Sequence, residues 1–262
     1  MIDDIVERLL SSKKYSGLCE DTVRRVAEES AKRHKKPKDA EKAARETLHG
    51  ITGAFMSGDE LKRAREYMAQ GNIDEALRLH SSTRERMPMD SFYDAVFAVT
   101  GRPSRVLDIA CGLNPYYLGS IGVCVTGLDI NAALMKALND WAAEAKTPVE
   151  AYAYDVLCER PIPEGKYDLA LMMKLLPVLE NQKKGAALEL MRRVPAVDQV
   201  ITFPTRTLTG RRVGMDRHYT EWFEALLTDE FSVIYRGIIN DELVYVIKKR
   251  TDGSARDEVN NG

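Results

Sequence analysis

V-L-D-I-A-C-G-L-N-P, residues 106–115, is an apolar run that carries one acid, breaks at Gly112 and closes at Pro115. Apolar residues throughout a short run fit a parallel strand buried on both faces. Glycine at its end lets the backbone turn and lie close to a ligand. A second run, V-C-V-T-G-L-D-I at 123–130, ends with the acid Asp129. In nucleotide-binding α/β units a carboxylate there accepts hydrogen bonds from ribose hydroxyls. Dinucleotide folds carry G-x-G-x-x-G, with a helix N-terminus aimed at a pyrophosphate, whereas Gly112 stands alone in this loop. The loop therefore suits a nucleoside without phosphates, and S-adenosylmethionine is the common one.

Working outward, strand-like runs at 105–110, 123–130, 150–156, 167–175 and 198–203 alternate with helical stretches near 131–145, 180–193 and 216–228. The chain then shows F-S-V-I-Y-R-G-I-I, a short polar turn and E-L-V-Y-V-I-K-K. This order predicts an α/β fold, a class I (Rossmann-like) methyltransferase sheet with a terminal antiparallel hairpin. Residues before Gly101 carry only helical spacing: Ile2, Ile5, Val6 and Leu9; Val23, Val26 and Ala27; Ala40, Ala44 and Leu48; Leu61, Ala64 and Met68; Phe92, Tyr93 and Val96. We expect an all-helical N-terminal domain over 1–102, a catalytic domain over 103–250 and a disordered tail over 251–262, where no apolar pattern remains.

Composition narrows the classes. The 262 residues are 44% hydrophobic and 30% charged with a net charge of −2, so a uniformly basic nucleic-acid coat is excluded and any RNA contact needs a local patch. No apolar run reaches the roughly 20 residues of a membrane helix. Cys19, Cys111, Cys124 and Cys158 show neither zinc-ligand nor disulfide-framework spacing, so no metal is expected and a cytoplasmic protein fits.

Ligands of open α/β sheets bind at the carboxyl ends of the strands. The candidates are therefore Asp108, Ala110 and Gly112 after the first strand, Asp129 and Ile130 after the second, Asp155 and Val156 after the third, and Leu175 after the fourth. Asp129 is the ribose ligand in this reading, and Asp155 with the amide of Val156 takes adenine. Any one acid could merely cap a helix; three at successive strand ends favour the cofactor. Just before the sheet, L-H-S-S-T-R-E-R offers His80, Ser82, Thr83 and Arg86. A guanidinium with hydroxyls matches the cofactor's carboxylate, and His80 reads as a structural hydrogen-bonding residue.

The fourth strand ends in K-L-L-P, where enzymes acting on exocyclic amines carry Asn/Asp-Pro-Pro-aromatic, and Cys158 reads as a buried structural thiol. A purine N7 has an unprotonated in-plane lone pair and needs no general base, so positioning it in line with the sulfonium methyl could supply most of the rate enhancement. Two basic clusters suggest RNA: A-K-R-H-K-K-P-K at 31–38, extended by Lys13, Lys14, Arg24, Arg25 and Arg45, and a Gly-containing loop with Arg206, Arg211, Arg212 and Arg217 after strand five. A charge run is more often a solvated helix face, so the arginine loop is the more specific of the two.

Taken in order, L-H-G-I-T-G-A-F, L-H-S-S-T-R-E-R, R-V-L-D-I-A-C-G-L-N-P, D-V-L-C, D-L-A-L-M-M-K-L-L-P, F-P-T-R-T-L-T-G-R, W-F-E and E-L-V-Y-V-I-K-K resemble the Arm/Rmt family of aminoglycoside-resistance 16S rRNA methyltransferases. The likeness runs from about Ser12 to Lys249. It implies methyl transfer from S-adenosylmethionine to N7 of a guanine in the decoding region of the assembled 30S subunit, by a monomer whose N-terminal helices dock on rRNA. It further implies that Arg86 holds the cofactor carboxylate, Asp129 the ribose and Asp155 the adenine, and that Lys174 and Arg206 are the functional basic residues facing the target. Lys13, Lys14, Arg24, Lys35, Lys36, Arg45, Arg211 and Arg212 are the corresponding candidates for RNA contact. Tyr116-Tyr117 and Ala153-Tyr154 depart from the family pattern. Another S-adenosylmethionine-dependent RNA base methyltransferase, or a non-catalytic ribosome-assembly factor of this fold, are the alternatives.

Overall fold

The computed structural model describes residues 1–52, 56–205 and 214–250. Its elements in chain order begin with α1 (Ile2–Leu10), α2 (Glu20–Arg33), α3 (Pro37–Thr52), α4 (Gly58–Ala69), α5 (Ile73–Arg78), α6 (Ser81–Arg84) and α7 (Met89–Thr100). Then come β1 (Arg105–Ile109), α8 (Asn114–Ser120), β2 (Cys124–Asp129), α9 (Ala132–Ala145) and β3 (Val149–Ala153). The chain continues with β4 (Tyr167–Met173), α10 (Leu176–Gln182), α11 (Ala186–Arg193), β5 (Ala196–Pro204), α12 (Met215–Leu226), β6 (Phe231–Ile239) and β7 (Glu242–Lys249). The seven strands lie in the order β3-β2-β1-β4-β5-β7-β6. The pairs β2/β3 and β4/β5 are parallel, whereas β7 pairs antiparallel with both β5 and β6. This is the expected α/β sheet with its terminal hairpin.

Two compact units emerge: Met1–Met87 with Leu107–Glu164, and Pro88–Val106 with the described part of Gly165–Gly262. The sequence expectation drew its line at 102/103 instead. In the first unit the segment between α1 and α2 bonds directly to the chain that follows β2. Cys19 N donates to Ile130 O at 2.8 Å and Ala133 N to Gly17 O at 3.1 Å.

The helical stripes bury as their spacing dictates. Ile5, Leu9, Val23, Val26, Ala40, Ala44 and Leu48 form one core among α1, α2 and α3. Burying one leucine there contributes about 1.5–3 kcal/mol, and the small Ala40 and Ala44 let α3 approach its neighbours closely. Pro37 opens α3, where its missing N–H costs nothing. A capping box starts α4: Ser57 Oγ accepts from Glu60 N and Glu60 Oε2 from Ser57 N, at 3.2 and 2.7 Å.

Two details differ from the sequence reading. The stretch read as one helix over 180–193 is two, α10 and α11, broken at Gly185 (φ +85°). The Glu180 carboxylate takes Gly185 N at 2.8 Å and Ala187 N at 3.3 Å, which caps the second helix from the first. Between the strand runs, α8 was not anticipated; its seven residues are too few to show a helical period. The expected tail over 251–262, and Arg206, Arg211 and Arg212, lie outside the described residues, while Arg217, read on the same loop, lies in α12.

Candidate functional site

After β1 the backbone enters the left-handed region twice within three residues, at Ala110 (φ +56°) and Gly112 (φ +52°). Alanine there is uncommon and marks a loop whose shape the surroundings enforce. Gly112 is required twice over. Besides its φ, a Cβ at this position would sit 2.6 Å from His80 Cε1. His80 is fixed in turn by the contact of its Nδ1 with Thr83 Oγ1, at 2.9 Å. The sequence reading of His80 as a structural hydrogen-bonding residue thus acquires a specific content: its ring lies against the loop after β1. Gly127 on β2 is also tightly surrounded, and the sequence reading did not single it out. A Cβ there would meet Cys111 Sγ at 3.0 Å and Pro115 Cγ at 3.1 Å.

The first two strand-end acids converge on this loop. Asp129 accepts Gly112 N through Oδ2 at 3.0 Å and Asn131 N through Oδ1 at 2.8 Å, so one carboxylate ties the loop after β1 to the loop after β2. Asp108 Oδ2 accepts from Asn114 Nδ2 at 2.7 Å. Burial pushes the Asp108 carboxyl up to about 7, against the opposing effects of the Asn114 hydrogen bond and the Arg86 charge. Burial also raises Asp129, which the backbone N–H groups only partly offset. Arg86 is itself 2% exposed, with Nη1 3.5 Å from Ser82 Oγ, and Thr83 is buried beside it. A buried guanidinium beside hydroxyls, with buried acids in the adjacent strands β1 and β2, has the chemistry to hold a zwitterionic nucleoside. Ile130 and Val156 follow their acids in the chain as expected.

The third acid brings a finding that the sequence reading missed. Asp155 lies two residues beyond β3, and its Oδ2 accepts from both Nε and Nη2 of Arg25 on α2, at 3.0 and 2.9 Å. Its Oδ1 accepts from Leu157 N at 2.9 Å. Arg25 was read only as a possible extension of the basic cluster. Cys158 is half-buried rather than buried, and burial raises its thiol to about 11, which leaves it protonated and no nucleophile at neutral pH.

In the second unit, Lys174 is the first residue after β4 and also left-handed, at φ +56°. Its N–H donates to Thr202 O on β5 at 3.0 Å, and its Nζ lies 2.9 Å from Glu242 Oε1. Glu242, at the start of β7, is 0% exposed. Nothing in E-L-V-Y-V-I-K-K marked that acid as buried. Leu175 is buried and opens α10.

The basic candidates of the N-terminal helices divide into two kinds. Lys13, Lys35 and Lys36 are exposed, with no ion pair among the described residues. Arg24 is paired with Asp3 at 2.7 Å, and Arg45 with Glu41 at 2.8 Å. Lys14 reaches His49 Nδ1 at 3.0 Å and lies over the Tyr15 ring, which Arg45 also approaches.

Comparison with known proteins identifies relatives of this chain. The family model described as ribosomal RNA methyltransferase (FmrO) matches residues 11–246. A curated protein from Serratia marcescens, named 16S rRNA (guanine(1405)-N(7))-methyltransferase, is 43% identical over 250 residues, which cover 95% of this chain and 98% of the relative. The solved structure of the 16S rRNA methylase RmtB superposes with a TM-score of 0.87 at 40% identity, covering 95% of this chain and 99% of that one. The 16S rRNA methyltransferase RmtF, solved with S-adenosyl-L-homocysteine, gives a TM-score of 0.87 at 47% identity, covering 95% and 98%.

Proposed function

The chain belongs to the ribosomal RNA methyltransferase (FmrO) family, and we infer that it transfers a methyl group from S-adenosylmethionine to N7 of guanine 1405 in 16S rRNA, the reaction its relatives are named for. The observation that carries this reading is the loop after β1. There the family match coincides with left-handed Ala110 and Gly112 and with the buried acids Asp108 and Asp129. A ribosome-assembly factor that had lost the cofactor would have no need to keep two buried carboxylates, one in β1 and one at the end of β2, beside a left-handed loop.

When bound, S-adenosylmethionine supplies an electrophilic methyl carbon on its sulfonium. The chain's own task is to hold and orient. Arg86 with Ser82 and Thr83 takes the amino-acid carboxylate, Asp129 the ribose, and Asp155 with the Val156 amide the adenine. Asp108, Ala110, Gly112, Ile130 and Leu175 are assigned to the cofactor as well. Guanine N7 offers an in-plane lone pair with no proton to remove, so no general base is assigned. Orientation of reactants is worth up to about 7–11 kcal/mol of a barrier. Lys174 and Arg206 are assigned to the RNA target as hydrogen-bond donors. We keep 1–102 as the rRNA-docking region and 103–250 as the catalytic region, with Lys13, Lys14, Arg24, Lys35, Lys36, Arg45, Arg211 and Arg212 as RNA contacts. The substrate in this reading is the assembled 30S subunit and the enzyme a monomer of the cytoplasm, where ribosomes are found. No described helix is long and apolar enough to cross a membrane.

The test is incubation of 30S subunits and of naked 16S rRNA with labelled cofactor, followed by nucleoside analysis. N7-methylguanosine from 30S subunits alone is expected; labelled adenosine, or equal labelling of naked RNA, refutes the reading. Arg206→Ala should lose methylation while binding cofactor normally. In cells, resistance to gentamicin- and kanamycin-type drugs without resistance to apramycin is the expected phenotype.

A further inference from the structure

The segment between α1 and α2 is built onto the loops that carry the adenosine ligands. Leu18 forms an antiparallel bridge with Asn131. Gly17 comes so close to the start of α9 that a Cβ on it would sit 3.0 Å from the Ala133 Cβ. Seven residues beyond Leu18, Arg25 reaches Asp155 across 130 positions of sequence. Its side chain is 13% exposed and that of Asp155 only 4%, so this is a buried pair and not a surface ion bridge.

The geometry of the pair is specific. Both Arg25 N–H groups point at Oδ2, while Oδ1 receives Leu157 N. A carboxylate oxygen offers about two acceptor positions. Oδ2 is thereby filled, and Oδ1 keeps one position. We propose that Arg25 is a positioning residue for adenine recognition: by occupying Oδ2 it turns the Asp155 carboxylate so that Oδ1 alone is presented to the adenine amino group. The proposal rests on the assignment of Asp155 to adenine. It also makes α2, a helix of the rRNA-docking region, part of the cofactor site, so that displacement of α2 changes cofactor selectivity. The alternative role for Arg25 is purely structural, an ion pair that fastens α2 and has no bearing on which base is read.

Selectivity separates the two. The probes are S-adenosylhomocysteine and its inosine analogue, in which a carbonyl oxygen replaces the adenine amino group, titrated calorimetrically into the full chain. A carboxylate acceptor facing that carbonyl is repelled, so the wild type should prefer the adenine compound by about tenfold to hundredfold. Asp155→Asn, whose amide can face the carbonyl with its own N–H, should erase or invert the preference. Arg25→Gln should weaken S-adenosylhomocysteine by about tenfold and narrow the preference by a similar factor. Arg25→Lys, which keeps the charge but not the two-pronged contact, should fall between. If Arg25→Gln melts as the wild type but keeps its affinity and full preference while Asp155→Asn loses both, the positioning role is overturned and the adenine assignment stands. If Asp155→Asn keeps affinity and preference, the adenine assignment itself fails and the proposal with it. Should Arg25→Gln not fold, Arg25→Lys carries the test: an undiminished preference overturns the proposal and a narrowed one supports it.

Discussion

Replacing Gly112 by alanine tests the cofactor loop most directly, because the structure supplies both its cost and its control. A non-glycine residue at φ +52° costs about 1–2 kcal/mol. The new Cβ also falls 2.6 Å from His80 Cε1, so the imidazole must swing away and give up Thr83, a hydrogen bond worth about 1 kcal/mol net. The expected loss is about 2–3 kcal/mol, which in a chain of this size lowers Tm by roughly 2–4 °C per kcal/mol. The control is Gly122→Ala. Gly122 has φ +82°, yet nothing lies within 4 Å of a Cβ placed there, so it should show the backbone cost alone. Urea denaturation measures both variants, and calorimetric titration with S-adenosylhomocysteine should show binding impaired only by Gly112→Ala. His80→Ala in the Gly112→Ala background should recover the steric part, as a non-additive cycle between neighbours. If Gly112→Ala and Gly122→Ala lose equal stability and both bind normally, the ring does not press on the loop and the account of this glycine is wrong.

Three other outcomes are expected. The Asp108 carboxyl sits at about 7 in the folded chain against 3.8 as a free side chain, so its contribution to stability is present at acidic pH and lost as pH rises from about 4 to 7; Asp108→Asn should flatten the Tm profile of the ligand-free protein across that window, and a profile parallel to wild type contradicts the assignment. Lys174→Met leaves the fully buried Glu242 without its ammonium partner and should cost about 3–5 kcal/mol in urea denaturation, with Glu242→Gln costing less; a neutral Lys174→Met means that the pair holds nothing in place. Replacing Lys13, Lys35 and Lys36 together by alanine should weaken binding to 30S subunits and lower the magnitude of its log–log salt slope by about one for each phosphate no longer neutralised; an unchanged slope places these lysines off the RNA.

Much of the fold was legible because its signals are local. Five parallel-type runs and a terminal hairpin announce themselves by apolar content and length, and the order of elements then admits few topologies. Ile5 with Leu9 and Val23 with Val26 follow a 3.6-residue period, and each pair is buried together. Short or interrupted elements were less legible. The Gly185 break divides a stretch whose apolar spacing continues across it, and α8 spans only seven residues.

By itself the sequence determined where the acids stand relative to strand ends, for Asp108, Asp129 and Asp155 lie in or just beyond runs whose character is local. It also determined that the cofactor loop lacks the glycines of a phosphate site, and which family the order of motifs resembles. Only the tertiary structure decided what those side chains touch: Arg25 on Asp155, Glu242 on Lys174, the His80 ring against Gly112. The physical reason is range. Periodicity and capping act between residues a turn or a strand apart. A carboxylate's partner is chosen by the packing of whole elements, as when a guanidinium 130 residues away is carried by α2 onto the loop after β3.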